Sequence, residues 1–283
     1  MPNVPYHLAR LEGKVMRALY QAFLPSIISR KLPVPRDLVL DVFAYSGEKA
    51  LPEQVASIRS FLAHAGRPKS FTVFSDGSYS ARSIRLLEKI DPVVRVRESL
   101  PPLPPELPEK VRQYLTTHAT GKQLALIMSL PIDRPTLYTD SDVLFFSGAD
   151  ALSRLKPSDS APAFYLADYR FSGDERLLVG AEEKESPANT GFLLFFRRLD
   201  WSLGLERLLK LNGAPNFFTN QTIAHLCLHA NGAVAFDPGK FVLQGDDEFG
   251  YADRYANDSL AIRHYVNPVR HKFWATLAHQ ILK

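Results

Sequence analysis

The chain has a single cysteine, Cys227, so no internal disulfide can staple it. That usage fits a reducing compartment and sets the expectation of a cytoplasmic protein. No uncharged apolar run approaches the ~18 residues of a transmembrane helix, and the first residues lack the apolar stretch of a secretory signal. The pattern G-x-x-x-x-G-K-S/T is absent, as are G-x-G-x-x-G and G-x-S-x-G, which removes P-loop, dinucleotide-binding and serine-hydrolase readings. There is no strong charge of one sign: 34 Lys+Arg stand against 30 Asp+Glu, a net +4, too small a surplus to imply a nucleic-acid groove. Hydrophobic residues at 46% and charged ones at 23% are close to the globular average, which excludes collagen-like, coiled-coil and disordered architectures. At 283 residues the chain can bury a sizeable core as one domain.

The charge that exists is uneven. Residues 1–36 carry Arg10, Lys14, Arg17, Arg30, Lys31 and Arg36 against Glu12 alone. Within this arm Leu8, Leu11, Val15, Leu19 and Phe23 recur at steps of three and four, predicting an amphipathic helix that Pro25 ends. A basic amphipathic helix suits either the surface of a membrane, here the inner face, or self-association through residues 1–31; the blander alternative is packing onto the chain's own domain.

After Pro33-Val34-Pro35 strands and helices alternate: a strand over 38–44, a helix over 53–65, a strand over 70–74, a helix over 80–90 and a short strand over 93–96. This order predicts an α/β domain with a mostly parallel sheet covered by helices on both faces, ligands sitting beyond the carboxyl ends of the strands. Five prolines in Pro101 to Pro108 read as a stiff surface connector. A helix over 110–130 and a strand over 136–146 follow. The predicted division is an arm (1–36), one domain (37–274) and a tail (275–283).

The segment Leu137-Tyr138-Thr139-Asp140-Ser141-Asp142-Val143-Leu144-Phe145 sets two carboxylates two apart between apolar flanks. Asp-x-Asp alone is a weak pattern. Carboxylates among buried residues, however, demand partners, and a hard divalent cation that neutralises a diphosphate is one such partner; a solvated turn is the alternative. His225 and His229, flanking Cys227, are four apart on a predicted helix; helix packing accounts for them more simply than a second metal site.

The string of motifs resembles the nucleotide-sugar glycosyltransferases of GT-A fold, and within them the retaining family 8 of glycogenin and lipopolysaccharide galactosyltransferases. The likeness rests on a first strand ending in Ala44-Tyr45-Ser46, a second ending in Ser75-Asp76-Gly77, the Asp-x-Asp strand, Asn189-Thr190-Gly191-Phe192-Leu193-Leu194, Asn220-Gln221, and His264-Tyr265 followed by Lys272-Phe273-Trp274. The resemblance implies a GT-A-type, Rossmann-like single domain and a metal-dependent hexosyltransferase. Such an enzyme moves a sugar from a nucleoside diphosphate, a UDP-sugar, to a hydroxyl acceptor with retention. It further implies Mn²⁺ (or Mg²⁺) held by Asp140, Asp142 and His264, and Lys272 and Lys122 against the diphosphate donor. Ala44, Tyr45, Ser46 and Asp76 would line the nucleoside pocket, with Asn189, Gln221 and Asp168 at the reacting sugar and acceptor. An alternative reading of Asn220 is a helix N-cap.

The chain departs from the family pattern in two places. Asn267-Pro268 replaces a glycine after the histidine, in a loop two residues longer, and Asn220 stands where the family has aspartate. Two other functions remain open on the sequence. A sugar-nucleotide pyrophosphorylase would share the sheet and the carboxylates but wants a glycine-rich loop after the first strand, where Gly47 stands alone. The other is an inactive nucleotide-sugar-binding relative that acts as a partner subunit.

Overall fold

The computed structural model describes residues 2–155 and 161–282, so the first residue of the expected arm and the last of the expected tail lie outside the described residues. The chain runs α1 (Val4–Ala22), α2 (Leu24–Ser29), β1 (Asp41–Ser46), α3 (Leu51–His64), β2 (Ser70–Ser75), α4 (Ala81–Glu88) and β3 (Val94–Arg97). Next come α5 (Glu109–Thr117), α6 (Ala119–Met128), β4 (Thr136–Thr139), β5 (Val143–Phe145), β6 (Ala163–Ala167) and β7 (Ala188–Phe195). Then follow α7 (Ser202–Lys210), α8 (Thr219–Ala230), β8 (Val234–Ala235), β9 (Phe241–Val242), β10 (Ile262–His264) and α9 (Lys272–Leu282). The last helix crosses the expected boundary at residue 275.

Seven strands form one sheet in the order β3-β2-β1-β4-β7-β6-β8. β7 alone runs against its neighbours β4 and β6, so the expected mostly parallel α/β sheet is present. Alternation along β1 explains its two covered faces: Val42 and Ala44 join the core under α3, while Phe43 joins a second cluster with Leu126 of α6, Tyr138 of β4 and Leu228 of α8. β7, buried at every position, is the apolar centre of the sheet.

The run over 136–146, expected as one strand, is two. β4 lies inside the large sheet, whereas β5 belongs to a separate three-stranded sheet ordered β5-β10-β9. The break falls on Asp140-Ser141-Asp142, where the Asp140 N–H donates to the Gly191 carbonyl and the Asp142 carbonyl accepts from Tyr265 N–H. The helix expected over 110–130 is also two, parted at His118, whose backbone is extended. Pro25 does not end the first helix. It sits in the first turn of α2, where its missing N–H is no loss.

The arm packs on the domain, but not through the stripe that its periodicity picks out. Ala9, Gly13 and Tyr20 form the buried face of α1, while Leu8, Leu11, Val15, Leu19 and Phe23 point outward, each 49–60% exposed. Small residues decide the packing: a Cβ on Gly13 would stand 2.3 Å from the His271 carbonyl oxygen, so only glycine lets α1 approach so closely. Tyr20 packs on Trp274 of α9 with ring centroids 5.2 Å apart, and Arg17 clamps Glu53 of α3 through Nε at 2.6 Å and Nη2 at 3.1 Å. Among the described residues no helix is long and apolar enough to cross a membrane.

Candidate functional site

At the carboxyl end of β4 the chain leaves the sheet carrying Asp140, then Asp142, and enters β5. β10 pairs antiparallel with β5, His264 opposite Val143, which carries the imidazole back to both carboxylates. His264 Nε2 lies 3.0 Å from Asp142 Oδ1 and 3.8 Å from Asp140 Oδ2. One ligand atom from each of the three falls within 4.8 Å of the others, the one such group of three among the described residues. His225 belongs to no such group. Its Nδ1 accepts the Ala188 N–H at 3.2 Å, so its Nε2 donates to the Glu183 carbonyl at 2.6 Å, the packing role expected of it.

Gly191 of β7 makes room for the cluster, since a Cβ there would stand 2.2 Å from His264 Cε1 and 2.8 Å from Asp140 Oδ2. Asp140 is oriented by Tyr138 Oη and Gln123 Nε2, each donating to Oδ1 at 2.9 Å. Gln123 in turn accepts from Asn220 Nδ2 at 2.9 Å. Asn220 is therefore not the cap of α8 but sits within its first turn, its amide turned to the site.

Charges in this recess are strongly coupled. Burial raises the Asp140 carboxyl pKa and the like charge of Asp142 adds to it, against opposition from His264. Burial pushes Asp142 the same way, but His264 and Arg270 outweigh it and hold that carboxyl well below the usual carboxylate range. Burial alone would lower His264; the two aspartates reverse the sign and raise it. Arg270 donates through Nη2 to Asp142 Oδ2, making it the cation that faces the pair.

Two oxygens from carboxylates and one imidazole nitrogen suit Mn²⁺ or Mg²⁺ and leave positions for phosphate oxygens. The His264 Nδ1, buried without a hydrogen-bond partner, and the space kept open by Gly191 are consistent with a group held here.

Across the same cleft, of about 290 Å³, stand Asp168, Asn189 and Gln221. Asp168 follows β6, Asn189 opens β7 beside the register shift between Tyr165 and Leu166, and Gln221 lies in the first turn of α8. Gln221 Nε2 donates to Asp168 Oδ2 and Asn189 Nδ2 to Gln221 Oε1, both at 3.2 Å, while the Asn189 Oδ1 accepts the Gly191 N–H at 2.8 Å. Burial raises the Asp168 carboxyl, against four weaker opposing contacts.

The other expected residues are spread out. Tyr45, Asp76 and Lys122 line a separate groove of about 490 Å³ at the same carboxyl edge, walled by Pro101 and Pro102 of the proline-rich connector. Burial, with Asp76 adding, pushes the Tyr45 hydroxyl up to about 12. Ala44 is buried in the core, and Ser46 is bound inward to Gln54 and Tyr79, both at 2.7 Å, so neither side chain lines that groove. Lys272 is 2% exposed and bound to Asp247 Oδ2 and the Ala252 carbonyl, both at 2.9 Å, beside fully buried Arg263. It does not line the aspartate cleft; Arg270, two residues earlier, does. Sequence reasoning passed over Arg270, Gln123 and Tyr138. A signal existed for Tyr138 alone, whose side chain shares the strand face of Asp140.

No family model matches the chain. No curated protein matches it either. Solved structures do. The galactosyltransferase LgtC, in complex with donor and acceptor sugar analogs, is 17% identical over 85% of this chain and 96% of its own, with a TM-score of 0.53. The bifunctional glycosyltransferase WbbM in its apo form is 16% identical over 89% of this chain and 50% of its own, TM-score 0.56. Mouse xyloside xylosyltransferase 1, also apo, is 10% identical over 83% and 99%, TM-score 0.51. At such identities the likeness is one of architecture, and the chain has the GT-A-type fold that its motifs led us to expect.

Proposed function

We propose that this protein is a metal-dependent glycosyltransferase that moves a sugar from a UDP-sugar to a hydroxyl acceptor with retention, Mn²⁺ (or Mg²⁺) being held by Asp140, Asp142 and His264. The observation that carries the reading is the convergence of those three groups, from segments more than 120 residues apart, at the carboxyl ends of strands facing Asp168, Asn189 and Gln221. Ligands of open α/β sheets sit at that edge. A galactosyltransferase with this architecture was solved with donor and acceptor analogs, and another structure of it carries a substituted active-site glutamine.

The bound ion would neutralise charge gathering on the leaving diphosphate. Arg270 supplies the protein's own positive charge at that place, its guanidinium able to grip phosphate oxygens in pairs. The amides of Asn189 and Gln221 hold sugar hydroxyls without ionising, and their dipoles are fixed by Asp168 and Ser172 before substrate arrives. In the transfer the bond from the anomeric carbon to the diphosphate oxygen breaks, the acceptor oxygen bonds to that carbon, and the hydroxyl proton passes to the departing diphosphate. Tyr45 beside Lys122 gives the 490 Å³ groove an aromatic face and a cation, suited to the nucleoside end of the donor.

The test is release of UDP from a panel of UDP-sugars in the presence of Mn²⁺, with the anomeric configuration of the product read by NMR. Release by the wild type that vanishes in Asp140→Ala/Asp142→Ala supports the proposal; unchanged metal-dependent release in that variant overturns it.

A further inference from the structure

Helix α1 presents to solvent the face that a soluble helix ordinarily hides. Val4, Leu8, Leu11, Val15, Leu19 and Phe23 form one stripe, each 49–60% exposed, on the side opposite the Ala9, Gly13 and Tyr20 contacts with the domain. The stripe is long as well as apolar, running the full helix at the 3.6-residue period. It is bordered by an exposed aromatic side chain from another part of the chain: Tyr251, 51% exposed, donates to Glu12 beside the stripe. Contiguous exposed apolar surface of this kind marks an interaction site.

Charge identifies the occupant. Helical spacing sets Lys14 at the edge of the stripe and Arg10 further round toward the domain, its guanidinium over the Tyr6 ring at 5.5 Å, and neither is ion-paired to a carboxylate among the described residues. Arg30 and Lys31, just beyond α2, add two more exposed cations. A second copy of the same arm brings the same surplus of cations with Glu12 alone against them, whereas a surface of negative headgroups neutralises them while accepting the leucines and the aromatic ring at the acyl boundary. We propose that α1, with Tyr251, docks this protein on an anionic membrane surface.

The docking helix lies next to the candidate site. Arg10 and Lys14 also line a groove of about 350 Å³ together with Asn267 and Arg270, two residues that the aspartate cleft shares. Seating α1 in the headgroup layer thus holds that cleft close to the lipid surface. The docking rests on α1 and stands whether or not sugar transfer does.

The experiment is co-sedimentation of the full chain with vesicles of phosphatidylglycerol and phosphatidylcholine, or of phosphatidylcholine alone, in ~0.1 M salt. Analytical ultracentrifugation without lipid runs in parallel. The wild type pellets with the anionic vesicles, at least tenfold more tightly than with neutral ones, and raised salt releases it. Leu11→Glu/Val15→Glu, at exposed positions that leave the fold intact, lowers binding at least tenfold, and Arg10→Glu/Lys14→Glu removes the preference for anionic lipid. In Leu19→Trp the added indole emission shifts to the blue on mixing with anionic vesicles. Wild-type protein that stays in the supernatant overturns the proposal, as does unchanged binding by Leu11→Glu/Val15→Glu. So does a lipid-free dimer that this double variant dissolves, because the stripe then belongs to a second copy.

Discussion

His264 Nε2 stands 3.0 Å from Asp142 Oδ1 across 122 residues of sequence, the contact that ties β10 to the end of β4. The pair is buried, His264 at 2% and Asp142 at 5% exposure, so each group depends on the other for its charge to be tolerated. Residues around this contact and in the fold that carries it lead to four predictions.

Gln123 holds Asp140 without touching His264 or Asp142. In Gln123→Leu the Asp140 carboxylate loses one of its two donors, and Mn²⁺ affinity falls about 10–100-fold, the usual cost of an outer-sphere partner. Calorimetric titration with Mn²⁺ measures it; unaltered affinity would show that Asp140 needs no such support.

Gly191→Ala puts a methyl group 2.2 Å from His264 Cε1. Overpacking of this kind costs roughly 1–3 kcal/mol. Here it also separates the three ligand groups, so thermal unfolding shifts down and the Mn²⁺ signal disappears together. A variant that binds the ion as the wild type does would mean that the cluster is looser than its geometry.

Arg270 and Lys272 are two residues apart and have opposite phenotypes. Arg270→Ala removes a cation whose side chain is 53% exposed, so thermal stability changes little while the KM for the sugar nucleotide rises. Lys272→Ala strands Asp247 in the buried network with Arg263 and destabilises by about 3–5 kcal/mol. Urea unfolding and donor kinetics on both variants separate the roles. If Lys272→Ala were fully stable but failed to bind donor, the diphosphate contact implied by the family resemblance would return to Lys272.

Asp174 is hydrogen-bonded by Arg176 through both oxygens at 2.7 Å and by Thr219 at 2.8 Å, and these contacts, Arg176 first, lower its pKa. A carboxyl depressed by folding adds stability that is fully present above its unfolded value, about 3.9, and is lost as pH falls through the folded one. In Asp174→Asn the fall in stability between about pH 5 and pH 2 should therefore be shallower than in the wild type. Urea midpoints across that range provide the check, and parallel curves would remove Asp174 from the acid response.

What the sequence disclosed was local and periodic. The alternation of β1, α3 and β2 was legible because apolar runs are punctuated by Gly47 and Gly77, and the Asp140-Ser141-Asp142 break because two carboxylates interrupt one apolar run. That β4 and β5 part into different sheets was not legible, since the choice is made by β7 and β10, remote in sequence. The facing of the arm was not legible for a related reason: the periodicity of its large side chains is the same whichever way they face, and the deciding contacts are made by Ala9 and Gly13, which carry almost no hydrophobic signal. Arg270 escaped because its position depends on the path of the loop from His264 to α9. Gln123 escaped because one step along α6, from Lys122, exchanges the groove for the cleft.

The most direct measurement is isothermal calorimetry of Mn²⁺ binding to the wild type and to Asp140→Ala, Asp142→Ala and His264→Ala, followed by UDP titration of the metal-loaded protein. The account predicts one Mn²⁺ per chain in the wild type, weakened at least tenfold by each substitution, and UDP binding that requires the ion. Binding of equal strength in all four proteins, or none in the wild type, would contradict it.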